Sequence, residues 1–270
     1  MNALPEVASW GVLLAVGFVA GAINTLAGGG SFLTLPALIF LGLPPTLANG
    51  TNRVAIVLQN AGASWGFHRH RVLDWRWALA ASIPATAGAA LGAWLALVVG
   101  DETFKDLLAL FMVVISLWTL FDPLSTHDRA AANDKAAATD PAAAQKVSWA
   151  DAPRARRWGL TAGFFVVGVY GGFVQAGVGF LVLTATTAAG FDLVRGNAVK
   201  GVAIFFLSLL ALGIFASQGQ VEWLTGAILA VGMVSGSQVG VRLTVLKGHR
   251  WVRGVVTAAI LVFAVKLWLG

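Results

Sequence analysis

Four short runs, in two matched pairs, carry side chains suited to holding an anion. The first is Asn24-Thr25-Leu26-Ala27-Gly28-Gly29-Gly30-Ser31. Its glycines free the backbone, Ser31 is suited to cap a following helix, and N–H groups at a helix start attract negative charge. The counterpart run is Gln175-Ala176-Gly177-Val178-Gly179. The other reading of both runs is a tight turn between packed helices. The second kind of cluster is Asn49-Gly50-Thr51-Asn52-Arg53, matched by Asn197-Ala198-Val199-Lys200. Arg53 and Lys200 fall inside apolar stretches, where a charge costs roughly 3 kcal/mol on insertion scales. Such a cation either snorkels to the headgroups or faces a polar cavity. Two cations beside Asn residues at matched positions would converge on one anion.

The elements that position these residues are apolar. Of 270 residues, 58% are hydrophobic and 11% charged, against about 25% charged in soluble domains. Mean hydropathy is +0.80. Apolar stretches run over 10–27, 31–43, 46–67, 77–99 and 104–121, then over 158–175, 179–190, 196–216, 223–246 and 253–269. The long ones suffice to cross roughly 30 Å of hydrocarbon as helices. The segments 31–43 and 179–190 do not cross comfortably, and each follows a glycine turn. None of the long segments alternates with period two, which argues against strands. The expected fold is an all-α polytopic membrane protein lying in the lipid bilayer.

A shift of 148 residues superposes the halves: Gly29 on Gly177, Phe32 on Phe180, Asn49 on Asn197, Phe67 on Phe215, Trp75 on Trp223 and Gly92 on Gly240. The chain therefore divides into a first membrane repeat (1–121), a polar linker (122–157) and a second repeat (158–270). Loop charge orients the copies. The loop 68–76 is basic, whereas its counterpart 216–224 has no Lys or Arg; the loop at Asp101 and Glu102 is acidic, whereas its counterpart at Lys247, Arg250 and Arg253 is basic. Basic loops face the cytoplasm, so the copies are inverted, with about five segments each and 8–10 membrane segments in all. Each copy holds either five crossings or three plus a re-entrant hairpin. This predicts periplasmic N- and C-termini and a cytoplasmic linker. Inverted repeats are typical of secondary transporters.

Several functions are disfavoured. There is no cysteine, hence no disulfide or thiolate metal site. Asp101, Glu102, Asp122, Asp192 and Glu222 fall at loop edges, leaving no buried carboxylate for a proton relay. No P-loop and no Ser–His pair within a span is visible. The net charge of +6 reads as loop charge, not as a nucleic-acid surface. No cofactor is expected. Met1 to Ser9 lacks Lys and Arg, a poor start for a cleaved signal peptide.

The run Gly21-Ala22-Ile23-Asn24-Thr25-Leu26-Ala27-Gly28-Gly29-Gly30-Ser31, with Leu35-Pro36-Ala37-Leu38 and Ala48-Asn49-Gly50-Thr51-Asn52-Arg53, resembles the TauE/SafE family of sulfite and organosulfonate exporters. Gly168-Val169-Tyr170-Gly171-Gly172-Phe173 and Arg195-Gly196-Asn197-Ala198-Val199-Lys200 are similar to it as well. The resemblance implies movement of sulfite, sulfoacetate or a related sulfonate across the bacterial inner membrane. The expected partners are that small sulfur-containing anion and a coupling ion, H+ or Na+; a homo-oligomer is compatible with the sequence. Uptake of the same anions and a non-transporting scaffold stand as alternatives.

Overall fold

A computed structural model describes residues 6–26, 28–121 and 153–268. The expected linker falls outside the described residues up to 152. Among those described, every regular element is an α-helix: α1 (Glu6–Leu26), α2 (Ser31–Phe40), α3 (Pro45–Arg69), α4 (Trp75–Val98), α5 (Asp101–Phe121), α6 (Arg154–Phe173), α7 (Val178–Ala188), α8 (Leu193–Ser217) and α9 (Trp223–Trp268). The loop-edge acids start helices. Asp74 accepts from the Trp77 N–H and Asp192 from the Arg195 N–H. Asp101 reaches across to the Thr46 N–H, at the start of α3, at 2.9 Å. Glu222 accepts from the Thr225 N–H, which holds its carboxyl below the ordinary glutamate range.

By length and composition, four helical stretches can cross a membrane: Ser9–Leu26, Trp75–Val98, Leu193–Ser217 and Trp223–Val245. Helix α3 is as long as α8, with 25 residues, but carries Asn49, Asn52, Arg53, Gln59 and Asn60. All five are buried by the helices around it, which is how so polar a helix is kept from lipid.

The repeat is reciprocal in space. Helix α1 packs on α9 and α6 on α4, while the equivalent helices α3 and α8 pack on each other. Small residues set these contacts. A Cβ at Gly88 or Gly92 of α4 would collide with the carbonyls of Phe165 or Val169 on α6, and one at Gly236 of α9 with that of Phe18 on α1. Backbones approach this closely only through small-xxx-small spacing. The pairs Phe18/Phe165 and Ala22/Val169 are each 147 residues apart. The first helix of each copy is thus displaced by one residue from the 148-residue frame that relates α3 to α8.

Contact register shows the inversion. Near the start of α3, Arg53 lies over the Phe215 ring at the end of α8; further along α3, Ser64 faces Gly201 near the start of α8. The two equivalent helices are antiparallel. Helix α9 runs parallel to α3, because Gly226 meets Val54 while Gly66 meets Val241. Helix α1 runs parallel to α9, because Gly17 meets Leu229 while Gly240 meets Ala22.

The short helices resolve as half-crossings. Helices α2 and α7 have 10 and 11 residues, about 15–17 Å against roughly 30 Å of hydrocarbon. Asn24 and Thr25, at the end of α1, bond to Gln59, about 20 Å along α3 from its start. The connection from Phe40 to Pro45 reaches at most about 18 Å. Helix α2 must therefore turn back toward the side from which α3 begins. Of the two topologies open from sequence, the contacts fit three crossings plus a re-entrant hairpin in the first copy.

One expected turn is absent. The segments 223–246 and 253–269 were to be separated by a basic loop, but α9 is helical throughout. Its first-copy counterpart breaks at Gly100, whose φ is +80°, and a new helix starts on Asp101 and Glu102. In the second copy Gly248 is followed by His249 and Arg250, whose sign disfavours a helix start. A lone glycine costs a helix only about 1 kcal/mol. The expected tenth segment therefore continues α9.

Candidate functional site

The two glycine turns meet. Gly28, with φ +94°, lies against the backbone of Gly179, and a Cβ on either would strike the other. The Gly29 backbone lies on the Phe180 ring, and Phe32 stacks on Phe180 with centroids 6.3 Å apart. Gly30 is the N-cap of α2, and Gly177, with φ +75°, is the N-cap of α7. Ser31 opens α2 and is buried. Two helix N-termini, the positive ends of their dipoles, thus belong to one buried contact between the copies; in those first turns the N–H groups of Phe32, Leu33 and Phe180 close onto the carbonyls of Gly29, Gly30 and Gly177.

The same turns end α1 and α6, leaving free carbonyls. Each copy satisfies those of the other. Arg53 donates through Nη1 to the Gly171 carbonyl and to Gln175 Oε1, both at 3.2 Å, and through Nη2 to the Gly172 carbonyl. Its guanidinium sits 4.9 Å from the Phe215 ring centroid. Asn49 donates to the Phe173 carbonyl at 2.9 Å. In the other half, Lys200 donates to the carbonyls of Asn24 and Thr25 at 2.8 and 3.1 Å and to Asn197 Oδ1 at 2.6 Å. Asn197 donates to the Leu26 carbonyl at 3.3 Å. Asn24/Gly171, Thr25/Gly172 and Leu26/Phe173 are each 147 apart, so the two halves match acceptor for acceptor. Cations at the negative ends of broken helices are electrostatically favoured.

Neither cation snorkels. Arg53 is 0% and Lys200 2% exposed. Each cluster also takes a bond from the helix that carries the other's cation: Ser208 on α8 donates to Gln175, and on α3 Gln59 accepts from Asn24 and from Asn60. Of Gln59, Asn60, Ser208 and Phe215, only Phe215 is named from sequence, as the repeat partner of Phe67, and none of them as part of a site. The signal for Gln59 and Asn60 was their polarity within a span; for Phe215 there was none, because a ring under a cation is a tertiary fact.

Some polar atoms here have no partner in the protein. Asn52 is 0% exposed, yet neither its amide nitrogen nor its oxygen is bonded. Arg53 Nε, Asn49 Oδ1 and, on α2, Thr34 Oγ1 are buried and unbonded too. Burying such an atom unpaired costs about 1–3 kcal/mol. By helical spacing Asn52 shares a face of α3 with Asn49 and Gln59, between the residues that touch the two helix breaks.

Apolar helices, inverted copies and paired helix breaks define a multi-pass membrane protein. The sulfite exporter TauE/SafE family matches residues 13–267, and the chain belongs to that family of membrane transporters. It is 30% identical to a "Probable membrane transporter protein" of Haemophilus influenzae, covering 95% of this chain and 93% of that protein. It is 28% identical to "Probable membrane transporter protein YfcA" of Escherichia coli K12, over 95% and 88%. To "Probable membrane transporter protein YunE" of Bacillus subtilis it is 23% identical, over 86% and 87%. No solved structure matches the chain at a significant level.

Proposed function

We propose that the protein exports a small sulfur-containing anion, sulfite, sulfoacetate or a related sulfonate, across the bacterial inner membrane by alternating access. The family's description supports the substrate class. The observation that carries the site is the buried, unpaired amide of Asn52 beside Arg53, on the α3 face between two helix breaks whose N-termini meet. In this reading the positive N-terminal ends of α2 and α7, Asn52 and Arg53 Nε hold the oxyanion. Asn49, Asn197 and Lys200 hold the breaks open for it. Two copies of opposite direction then expose the site alternately by moving about Gly28 and Gly179. Positive-inside charge places Arg69, Arg71, Arg154, Arg156 and Arg157 in the cytoplasm, and with them the linker, leaving the N-terminus periplasmic.

The test is flux of labelled sulfite in proteoliposomes. Wild-type flux is expected to saturate, and Arg53→Gln and Lys200→Gln, correctly inserted, to lower it by about tenfold or more, the value of one charge-assisted hydrogen bond. Undiminished flux in both variants overturns the site. Transport of plain carboxylates but not of sulfite, thiosulfate or sulfoacetate overturns the substrate class.

A further inference from the structure

A cavity of about 390 Å³ lies on the outer face of α3 and α8, away from the helix breaks, lined by Ala61, Ser64, Trp65, His68, Trp75, Val202, Phe205 and Phe206. Its walls are apolar and aromatic. Trp65 is 66% and Trp75 44% exposed, which places the opening on the lipid-facing surface. The polar features gather toward one end. His68 Nδ1 accepts from Trp75 Nε1 at 3.1 Å, fixing two rings at the rim. Ser64 Oγ is buried with no partner.

The adjoining helix ends are basic. Arg69, Arg71 and Arg76 flank the lining residues His68 and Trp75 in the chain and are exposed. None has an ion-pair partner among the described residues. Asp74, the acid in this loop, is engaged by the Trp77 N–H. Three exposed arginines without an ion pair among the described residues thus flank, in the chain, the residues at one end of an apolar groove. Arginine matches phosphate oxygens in a bidentate way, and basic clusters at helix ends recognise anionic headgroups.

The inverted copy lacks this arrangement. At the equivalent positions, 148 residues apart, Trp65 gives way to Gly213, His68 to Ala216, and Phe205 and Phe206 to Val57 and Leu58; the loop 216–224 has no Lys or Arg. Duplication alone does not produce the groove. Between the two sets of equivalent positions, aromatic walls and basic rim occur together in this one alone.

We infer that this groove binds one anionic phospholipid of the surrounding leaflet, an acyl chain against Trp65, Phe205 and Phe206 and the phosphate on Arg69, Arg71 and Arg76. A lipid here bridges α3 and α8, the antiparallel pair that carries Arg53 and Lys200.

The experiment is native mass spectrometry of the full chain released from detergent with phosphatidylglycerol, phosphatidylcholine or inorganic phosphate added, paired with thermal unfolding. One retained phosphatidylglycerol and a higher melting temperature are expected, with neither effect from phosphatidylcholine or phosphate. The triple variant Arg69→Gln, Arg71→Gln, Arg76→Gln should lose the preference for phosphatidylglycerol. Ala61→Phe, at an exposed position, should fill the groove and lower retention at least fivefold while the rim is intact. All four changed residues are exposed, so folding is preserved. Equal retention of both lipids by the wild type, or unchanged retention in both variants, overturns the proposal. So does equal stabilisation by inorganic phosphate, which would mark a bare anion site.

Discussion

Asn52 separates a functional from a structural account of the buried polar cluster. Arg53 and Lys200 each close a helix end, so their loss mixes two effects. Asn52 bonds to nothing. Replacing it with leucine removes two unsatisfied polar groups from the interior, a change that is neutral or stabilising when shape is kept. Asn52→Leu is therefore expected to unfold at the wild-type temperature or above it while sulfite flux falls about tenfold, the loss of roughly one hydrogen bond to an anion. Full flux in that variant removes Asn52 from the site. Arg53 allows a second prediction. Its planar fork serves two carbonyls and the Gln175 amide at once, which a lysine ammonium does not reproduce. Arg53→Lys should keep the charge but lower the melting temperature, at a cost of about 1–3 kcal/mol. A wild-type melting curve would show that charge alone suffices there.

At the scale of elements, the glycine-lined contacts decide how closely the copies approach. Gly88 on α4 faces the Phe165 carbonyl directly. Gly88→Val must separate α4 from α6, an overpacking cost of typically 1–3 kcal/mol. Thermal unfolding in detergent should show a clear loss. Gly163→Ala, on α6 itself, is the control: nothing lies within 4 Å of its Cβ position, so its stability should hold or rise by up to about 1 kcal/mol. If both variants behave alike, helix propensity and not backbone contact sets the effect. The same contacts put the first helices in a 147-residue frame, which side-chain matches did not reveal. Apolar residues on α1 and α6 that face lipid are interchangeable, so a one-residue slip leaves little trace in the sequence.

For the whole molecule the central property is inversion. The chain has no cysteine, so single cysteines report sidedness without background. Of His70→Cys, in the turn after α3, and Gly219→Cys, in the matching turn after α8, only the second should react with an impermeant reagent in intact spheroplasts, the first reacting once the membrane is permeabilised. Labelling of both from one face would refute inverted copies.

Much of this design was legible in the residues themselves. Hydropathy marked the helices, because lipid leaves few alternatives for a backbone that must satisfy its own hydrogen bonds. The matched Asn, Trp and Gly positions marked the duplication, and loop charge marked its inversion. The glycine turns and the Asn-plus-cation runs were recognisable because glycine strings and charges within spans are costly unless used. Sequence alone left open whether 31–43 and 179–190 cross; the reach of the Phe40–Pro45 connection and the level of Gln59 along α3 decided that for the first copy. It also led to an expected turn at 247–253 that helix α9 does not make. Above all, it paired the two cations with a ligand, whereas the folded chain gives most of their donors to the broken helix ends of the opposite copy. Which carbonyls are left unpaired, and which side chain is near enough to satisfy them, depends on contacts between residues more than a hundred positions apart, and only tertiary packing sets those.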